Sequence, residues 1–204
     1  MSERTAPVGR RERKKAATRQ ALADAALRLF LEHGYEQVSI KDIAESADVS
    51  TTTLFKHFPS KEALVFDQEA DREAALVTAI RQRPAGKSVL DALRDHVTGG
   101  VFTDAARRPE FKAFMRLIES NPALRDYHRR MWIRHEQAVA RTIAEETAAP
   151  PDDLSCRALA HFILEAATFD ASRDDSPQAL DAAFELLQHG WDAVSPAAAD
   201  TEAG

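Results

Sequence analysis

Apolar residues in this chain recur at three- and four-residue steps almost from end to end, and the runs are cut at short intervals by proline, glycine and serine. A period near 3.6 puts one apolar stripe on each of a series of helices, and no stretch alternates apolar and polar residues long enough to make a half-buried strand. Ala17, Leu22, Ala25, Ala26, Leu29 and Phe30 predict a first helix over about 14–33, closed by Gly34. Ser39 with Asp42 predicts a capping box opening a short helix from Ile40 to about Ala47. After a turn at Asp48-Val49, Ser50 caps a third helix over Thr51–His57, which Phe58-Pro59 ends. A fourth helix runs from Glu62 to about Arg83, where Pro84-Ala85-Gly86 breaks it. Five more are expected at about 88–106, 109–119, 122–148, 152–170 and 177–194, with Pro109, Pro122 and Pro177 at helix starts, where a missing N–H costs nothing. About nine helices make an all-α architecture.

Hydrophobic residues make up 44% and charged residues 29%, the balance of an ordinary globular protein. No apolar run reaches the roughly 18 residues of a transmembrane helix. The basic first fifteen residues are not followed by the apolar segment of a signal peptide. The lone Cys156 excludes an intramolecular disulfide and fits a reducing cytoplasm, the expected location. Cys156 has no histidine motif beside it, and no Ser/His/Asp set, glycine-rich phosphate loop or spaced carboxylate pair occurs, so no enzyme is expected. Metal binding is not expected either: His128 and His135 are seven apart and His161 shares a face with Glu165, but no tight ligand cluster forms.

The net charge of −6 hides an asymmetry. Residues 1–20 carry +5 and residues 1–61 carry +3, so the remainder holds −9. A basic head on an acidic body is what one end meeting phosphate would require. The segment from Ile40 to Leu64 then becomes informative. Ile40, Ile43, Val49 and Leu54 supply a shared apolar contact between two short helices, and Ala44 is small where they cross. The outward face of the second is Thr51, Thr52, Thr53, Phe55, Lys56 and His57, hydroxyls and cations suited to base edges and phosphates in a major groove. An ordinary polar loop-helix is the alternative.

This segment, with the Leu29-Phe30-Leu31-Glu32-His33-Gly34-Tyr35 end of the first helix, closely resembles the DNA-binding domain of the TetR family of repressors over about residues 14 to 65. The resemblance implies a three-helix helix-turn-helix reader, a dimer built from the last two helices, and a small-molecule cavity in a larger helical domain. Carried over by position, Thr51, Thr52 and Thr53 open the recognition helix, Lys56 and His57 face DNA, and Lys61 meets phosphate. Arg10, Arg11, Arg13, Lys14 and Lys15 form a basic arm toward the backbone or minor groove, and Ser39 or Thr18 adds a phosphate hydrogen bond. Two residues depart from the family pattern. Asp48 stands where the turn usually has glycine, and Asp tolerates a left-handed backbone better than most residues. Phe55 stands where tyrosine is usual; it loses a hydroxyl but can pack against sugar or a thymine methyl. Phe58 is expected in the core.

The division expected is a flexible basic arm (1–13), the DNA-binding domain (14–60), a helical ligand-binding and dimerisation domain (61–194) and a flexible tail (195–204). In that larger domain Phe111, Phe114, Met115 and Ile118 line one helix, Met131, Trp132 and His135 the next, and Phe162, Glu165 and Phe169 another. They read either as bundle core or as the apolar wall of a ligand site with polar anchors. Its sequence resembles regulators with an acyl-CoA-like ligand, including the mycofactocin-associated type, so a small-molecule effector is expected, an acyl-CoA or another hydrophobic ligand, with no cofactor. Leu159, Phe162, Ile163 and Ala166, with Leu180, Phe184, Leu187 and Trp191, suit a four-helix bundle between two subunits, or packing within one. The function expected is a dimeric repressor of a pseudopalindromic double-stranded operator, released by a small hydrophobic ligand and not associated with membrane. The alternative is a DNA-binding regulator without an effector.

Overall fold

The computed structural model describes residues 9–99, 108–168 and 176–194. Ten helices occur among the described residues, and no strand: α1 (Arg10–His33), α2 (Ile40–Ser46), α3 (Thr51–His57), α4 (Glu62–Val65), α5 (Glu69–Arg81), α6 (Val89–Thr98), α7 (Arg108–Ser120), α8 (Pro122–Glu146), α9 (Leu154–Thr168) and α10 (Ser176–Val194). The all-α expectation holds. The tail over 195–204, residues 1–8 of the arm, and Phe169 lie outside the described residues.

Two boundaries differ from the sequence reading. α1 begins at Arg10, so Arg10, Arg11 and Arg13 stand on a helical turn rather than in the flexible arm expected over 1–13; the Arg13 N–H already closes onto the Gly9 carbonyl at 3.1 Å. Arg and Lys are good helix formers, and no breaker follows Gly9. The single helix expected over 62–83 is two, α4 and α5, parted at Phe66-Asp67-Gln68. The break trades intrahelical bonds for tertiary ones. The Phe66 ring stacks on Tyr127 (centroids 5.0 Å, 9° between planes) and meets Phe114 edge-on at 6.0 Å, while the Asp67 carbonyl accepts from Arg19 at 2.9 Å.

The chain divides into two compact units: residues through Asp67 with Phe114–Tyr127, and Gln68–Ala113 with His128 onward. This differs from the boundary expected at residue 60, because α4 and the Phe114–Tyr127 segment cluster with the head. In the first unit Leu22, Ala26 and Phe30 of α1 are buried with Ile43, Leu54, Phe58 and Leu64. Each large side chain contributes roughly 1.5–3 kcal/mol on burial. The α7–α8 corner belongs to this unit. Buried Asn121 caps α8 by accepting from the Ala123 N–H at 2.9 Å, and its amide donates to the Glu36 carboxylate. In the second unit Ile80, Leu90, Leu93, Val139, Ile143, Leu159, Ile163 and Phe184 form one core contributed by α5, α6, α8, α9 and α10.

Candidate nucleic-acid interface

The two short helices are held by local chemistry that the sequence announces. Ser39 accepts from the Asp42 N–H at 3.1 Å and its own N–H donates to the Asp42 carboxylate at 2.8 Å, the expected capping box. The Ser39 hydroxyl, and after it the Ser39 backbone N–H, hold the Asp42 carboxyl below the usual carboxylate range. The N-terminus of α2 thus already faces a carboxylate, which leaves Ser39 poorly placed to receive a phosphate as expected. At the turn Asp48 adopts φ 52°, the left-handed conformation the sequence requires there, and the Val49 N–H returns to the Ala44 carbonyl at 2.9 Å. Ser50 then caps α3, its Oγ accepting from the Thr53 N–H at 3.1 Å and sitting 2.9 Å from Thr53 Oγ1.

α3 buries one side chain, Leu54. Thr51, Thr52 and Lys56 are exposed, Thr53 and His57 half-buried, and Phe55 keeps 53% of its surface in water. A seven-residue helix with an exposed phenyl ring, two free-facing threonines and a lysine presents hydrogen-bonding and apolar contacts at once, the mixture that reads base edges and thymine methyls. Phe58, just past α3, is fully buried, as expected.

Arg19 holds this element from behind. Its Nη1 donates to the His57 carbonyl at 2.7 Å, at the C-terminal end of α3, and its Nη2 donates to the Asp67 carbonyl, while the guanidinium lies 4.2 Å from the centroid of Phe58. A cation on the last carbonyls of a helix also opposes the negative end of its dipole. Sequence reasoning counted Arg19 only as charge. Its spacing to Leu22, Ala26 and Phe30, all on the inward face of α1, was the signal that it points into the head rather than at phosphate.

Lys61 also differs from expectation. Its Nζ donates to the Tyr35 carbonyl and lies 4.2 Å from the Tyr35 ring centroid, half-buried rather than presented outward. Burial lowers its proton affinity. The Tyr35 hydroxyl donates to Glu62 at 3.0 Å, and burial followed by this bond pushes its ionisation far above the ordinary tyrosine range. Arg10, Arg11, Arg13, Lys14 and Lys15 are all exposed along α1. Burial, then Lys15 and Arg19, hold His57 below its ordinary range. Thr18 turns its hydroxyl back onto the Lys14 carbonyl at 3.0 Å.

Comparison with known proteins agrees with this geometry. Residues 22–67 match the family described as bacterial regulatory proteins, tetR family, and residues 87–192 match the MftR C-terminal domain. The chain belongs to the TetR family of transcriptional regulators. The regulator TcmR of Streptomyces glaucescens is 35% identical over 156 residues, covering 71% of this chain and 67% of that one. MftR of Mycobacterium tuberculosis, assigned to the regulation of mycofactocin biosynthesis, is 27% identical over 194 residues, covering 92% and 96%. In fold, Salmonella enterica GusR aligns with a TM-score of 0.57 at 22% identity, over 87% of this chain and 94% of that one. As a TetR-family protein the chain is a DNA-binding transcriptional regulator and not an enzyme.

The residues expected to line a ligand site fall in both units of this TetR-family regulator. Phe114, Met115 and Ile118 belong to the first unit, and Phe111, Met131, Trp132, His135, Phe162 and Glu165 to the second. Ile118, Met131 and His135 are buried, and Phe111, Phe114, Met115 and Trp132 half-buried. Phe162 is 54% exposed and Glu165 also faces solvent, so neither joins an interior wall. The faces expected to dimerise divide as well. Leu159, Ile163, Ala166, Leu180, Phe184 and Trp191 are buried inside the subunit, whereas Leu154, Phe162 and Leu186 remain exposed. Among the described residues no helix is long and apolar enough to cross a membrane.

Proposed function

We propose that this regulator is a dimeric repressor that binds a pseudopalindromic operator and leaves it when a small hydrophobic molecule occupies the helical body. The observation that carries the DNA half is the outward face of α3, which exposes Phe55, Thr51, Thr52 and Lys56 while burying Leu54 alone. Exposed Lys14 and Lys15 on α1 add phosphate contacts, and Arg10, Arg11 and Arg13 extend the same basic row. Dimerisation is supported by apolar stripes at four-residue spacing on the last two helices: Leu154, Ala158 and Phe162 on α9, and Ala182, Leu186 and Gly190 on α10, all exposed in one chain. Two copies of this pair make a four-helix interface and set the two recognition helices about one DNA turn apart. The regulator acts in the cytoplasm, where its operator lies.

The test is a gel shift of the purified chain on its own upstream DNA, across salt and across a panel of acyl-CoA thioesters and other hydrophobic compounds. A specific shift that weakens steeply with salt and is reversed by one compound supports the whole reading. No specific shift at any salt defeats it. A shift that no compound relieves leaves a DNA-binding regulator without an effector. Sedimentation checks the dimer: Leu186→Asp or Phe162→Glu yields monomer, and a wild-type monomer at micromolar concentration refutes the interface.

A further inference from the structure

Few polar side chains in the head are free to read bases, because most are engaged within it. Thr53 is half-buried, and its hydroxyl lies 2.9 Å from Ser50 Oγ inside the cap that starts α3. Ser39 is held in the capping box with Asp42. Arg19 is bonded to the His57 and Asp67 carbonyls, and Lys61 to that of Tyr35. His57 is half-buried. Thr51, Thr52, Phe55 and Lys56 remain exposed, and no side-chain hydrogen bond or ion pair engages them among the described residues. Thr51 and Phe55 are four apart, as are Thr52 and Lys56, so the four share one face of α3, away from buried Leu54.

The residue types on that face restrict which bases it can tell apart. Guanine is read best by arginine or lysine, adenine by asparagine or glutamine, and cytosine by a carboxylate. α3 holds no arginine, amide or carboxylate side chain, which leaves Lys56 alone for guanine. A threonine hydroxyl bonds to donors and acceptors alike and discriminates little. The phenyl ring of Phe55 makes no hydrogen bond and keeps 53% of its surface in water, so it gains by covering an apolar group. In the major groove one base offers such a group, thymine with its C5 methyl. Deoxyribose is the other apolar partner, but it lines the groove wall and is the same at every step. Around the helix Phe55 falls between Thr51 and Thr52, inside the exposed arc rather than at its rim, where it faces the groove floor. The methyl groups of the two threonines extend the same apolar surface.

We propose that Phe55 is a specificity-determining residue of this regulator, its ring covering the C5 methyl of one thymine in each operator half-site. The half-site is then chosen by methyl groups more than by hydrogen-bond patterns. This rests on the operator-binding reading above and names the base that the face of α3 selects.

Duplexes selected by the full chain from a random-sequence library supply the probe. Each thymine of the recovered half-site is replaced in turn by deoxyuridine, which removes the methyl and keeps every hydrogen-bonding group. At one position the wild type loses roughly fourfold in affinity, the contribution of one buried methyl (~0.8 kcal/mol). Phe55→Ala binds the thymine duplex at least about tenfold more weakly and no longer distinguishes deoxyuridine at that position. Phe55→Tyr, which keeps the ring, still distinguishes it. The side chain is exposed, so a melt by circular dichroism that matches the wild type shows each variant folded. Tolerance of deoxyuridine at every thymine by the wild type overturns the proposal. So does a methyl effect that persists undiminished in Phe55→Ala, which would assign it to the threonines or to duplex flexibility. Equal losses for Phe55→Ala on selected and unrelated duplexes place the ring on sugar and overturn it as well. The two readings fail separately. Recovery of no sequence above background refutes the operator itself, whereas a selected sequence indifferent to deoxyuridine keeps the operator and removes the role of Phe55.

Discussion

Replacing Arg19 with alanine separates positioning from phosphate contact. The side chain makes two charge-assisted hydrogen bonds, to the His57 and Asp67 carbonyls, and lies over Phe58. The site is half-buried, so water recovers part of the loss, and each bond counts for roughly 1 kcal/mol rather than the upper figure for ionic bonds. The ring contact adds roughly 0.5–1 kcal/mol. Arg19→Ala therefore costs about 2–3 kcal/mol, a fall of about 5–10 °C in melting temperature for a chain of this size. Circular dichroism on heating reads it. Because the C-terminal end of α3 loses its anchor, operator affinity falls between about ten- and thirtyfold. The slope of log affinity against log salt stays that of the wild type, whereas Lys15→Ala flattens it by about 0.9, the signature of a lost phosphate contact. Arg19→Lys keeps the charge without the two-armed donor and restores little. A flattened salt slope in Arg19→Ala, or full rescue by lysine, would refute the positioning role.

Three other outcomes follow from local geometry. Asp48→Gly, at φ 52°, raises stability by roughly 0.5–1 kcal/mol by removing left-handed strain, and it tightens DNA binding at low salt by deleting an exposed negative charge beside α3; Asp48→Val lowers stability in the same melt. Burial holds His128 and His135 below their ordinary range, so the folded state resists their protonation. Their contribution to stability is complete above the unfolded value near 6.5 and is lost as pH falls from there through the lowered folded values; melting at pH 7.5 and 5.5 shows the drop, and His135→Phe shrinks it. Cys156 is buried, and burial, then its bond to Asp153, pushes its thiol to about 11, so a disulfide-exchange reagent leaves it unmodified at pH 8 until denaturant is added; rapid native labelling would contradict that packing.

Local rules made much of the head legible. The capping box at Ser39, the cap at Ser50, the left-handed turn at Asp48 and the exposed threonines of α3 each depend on residues within a few positions of one another, so sequence spacing suffices to place them. The interrupted helix after Leu64 was not legible, because Phe66 leaves the helical path for Tyr127, sixty residues on, and Asp67 for Arg19, nearly fifty residues back. The same holds for Lys61, whose partner is the carbonyl of Tyr35, and for Phe162, which shares the helical spacing of buried neighbours yet faces solvent.

The sequence by itself determined the helical class, the position of the DNA-reading segment and its two departures, since periodicity and capping are short-range consequences of residue type. Only the tertiary structure decided which cation anchors rather than contacts, which face of α9 and α10 stays outside, and that His135 Nε2 lies buried opposite Glu73. Those outcomes depend on which distant backbone carbonyl, ring or carboxylate is brought within a few ångströms, and no local pattern encodes that distance.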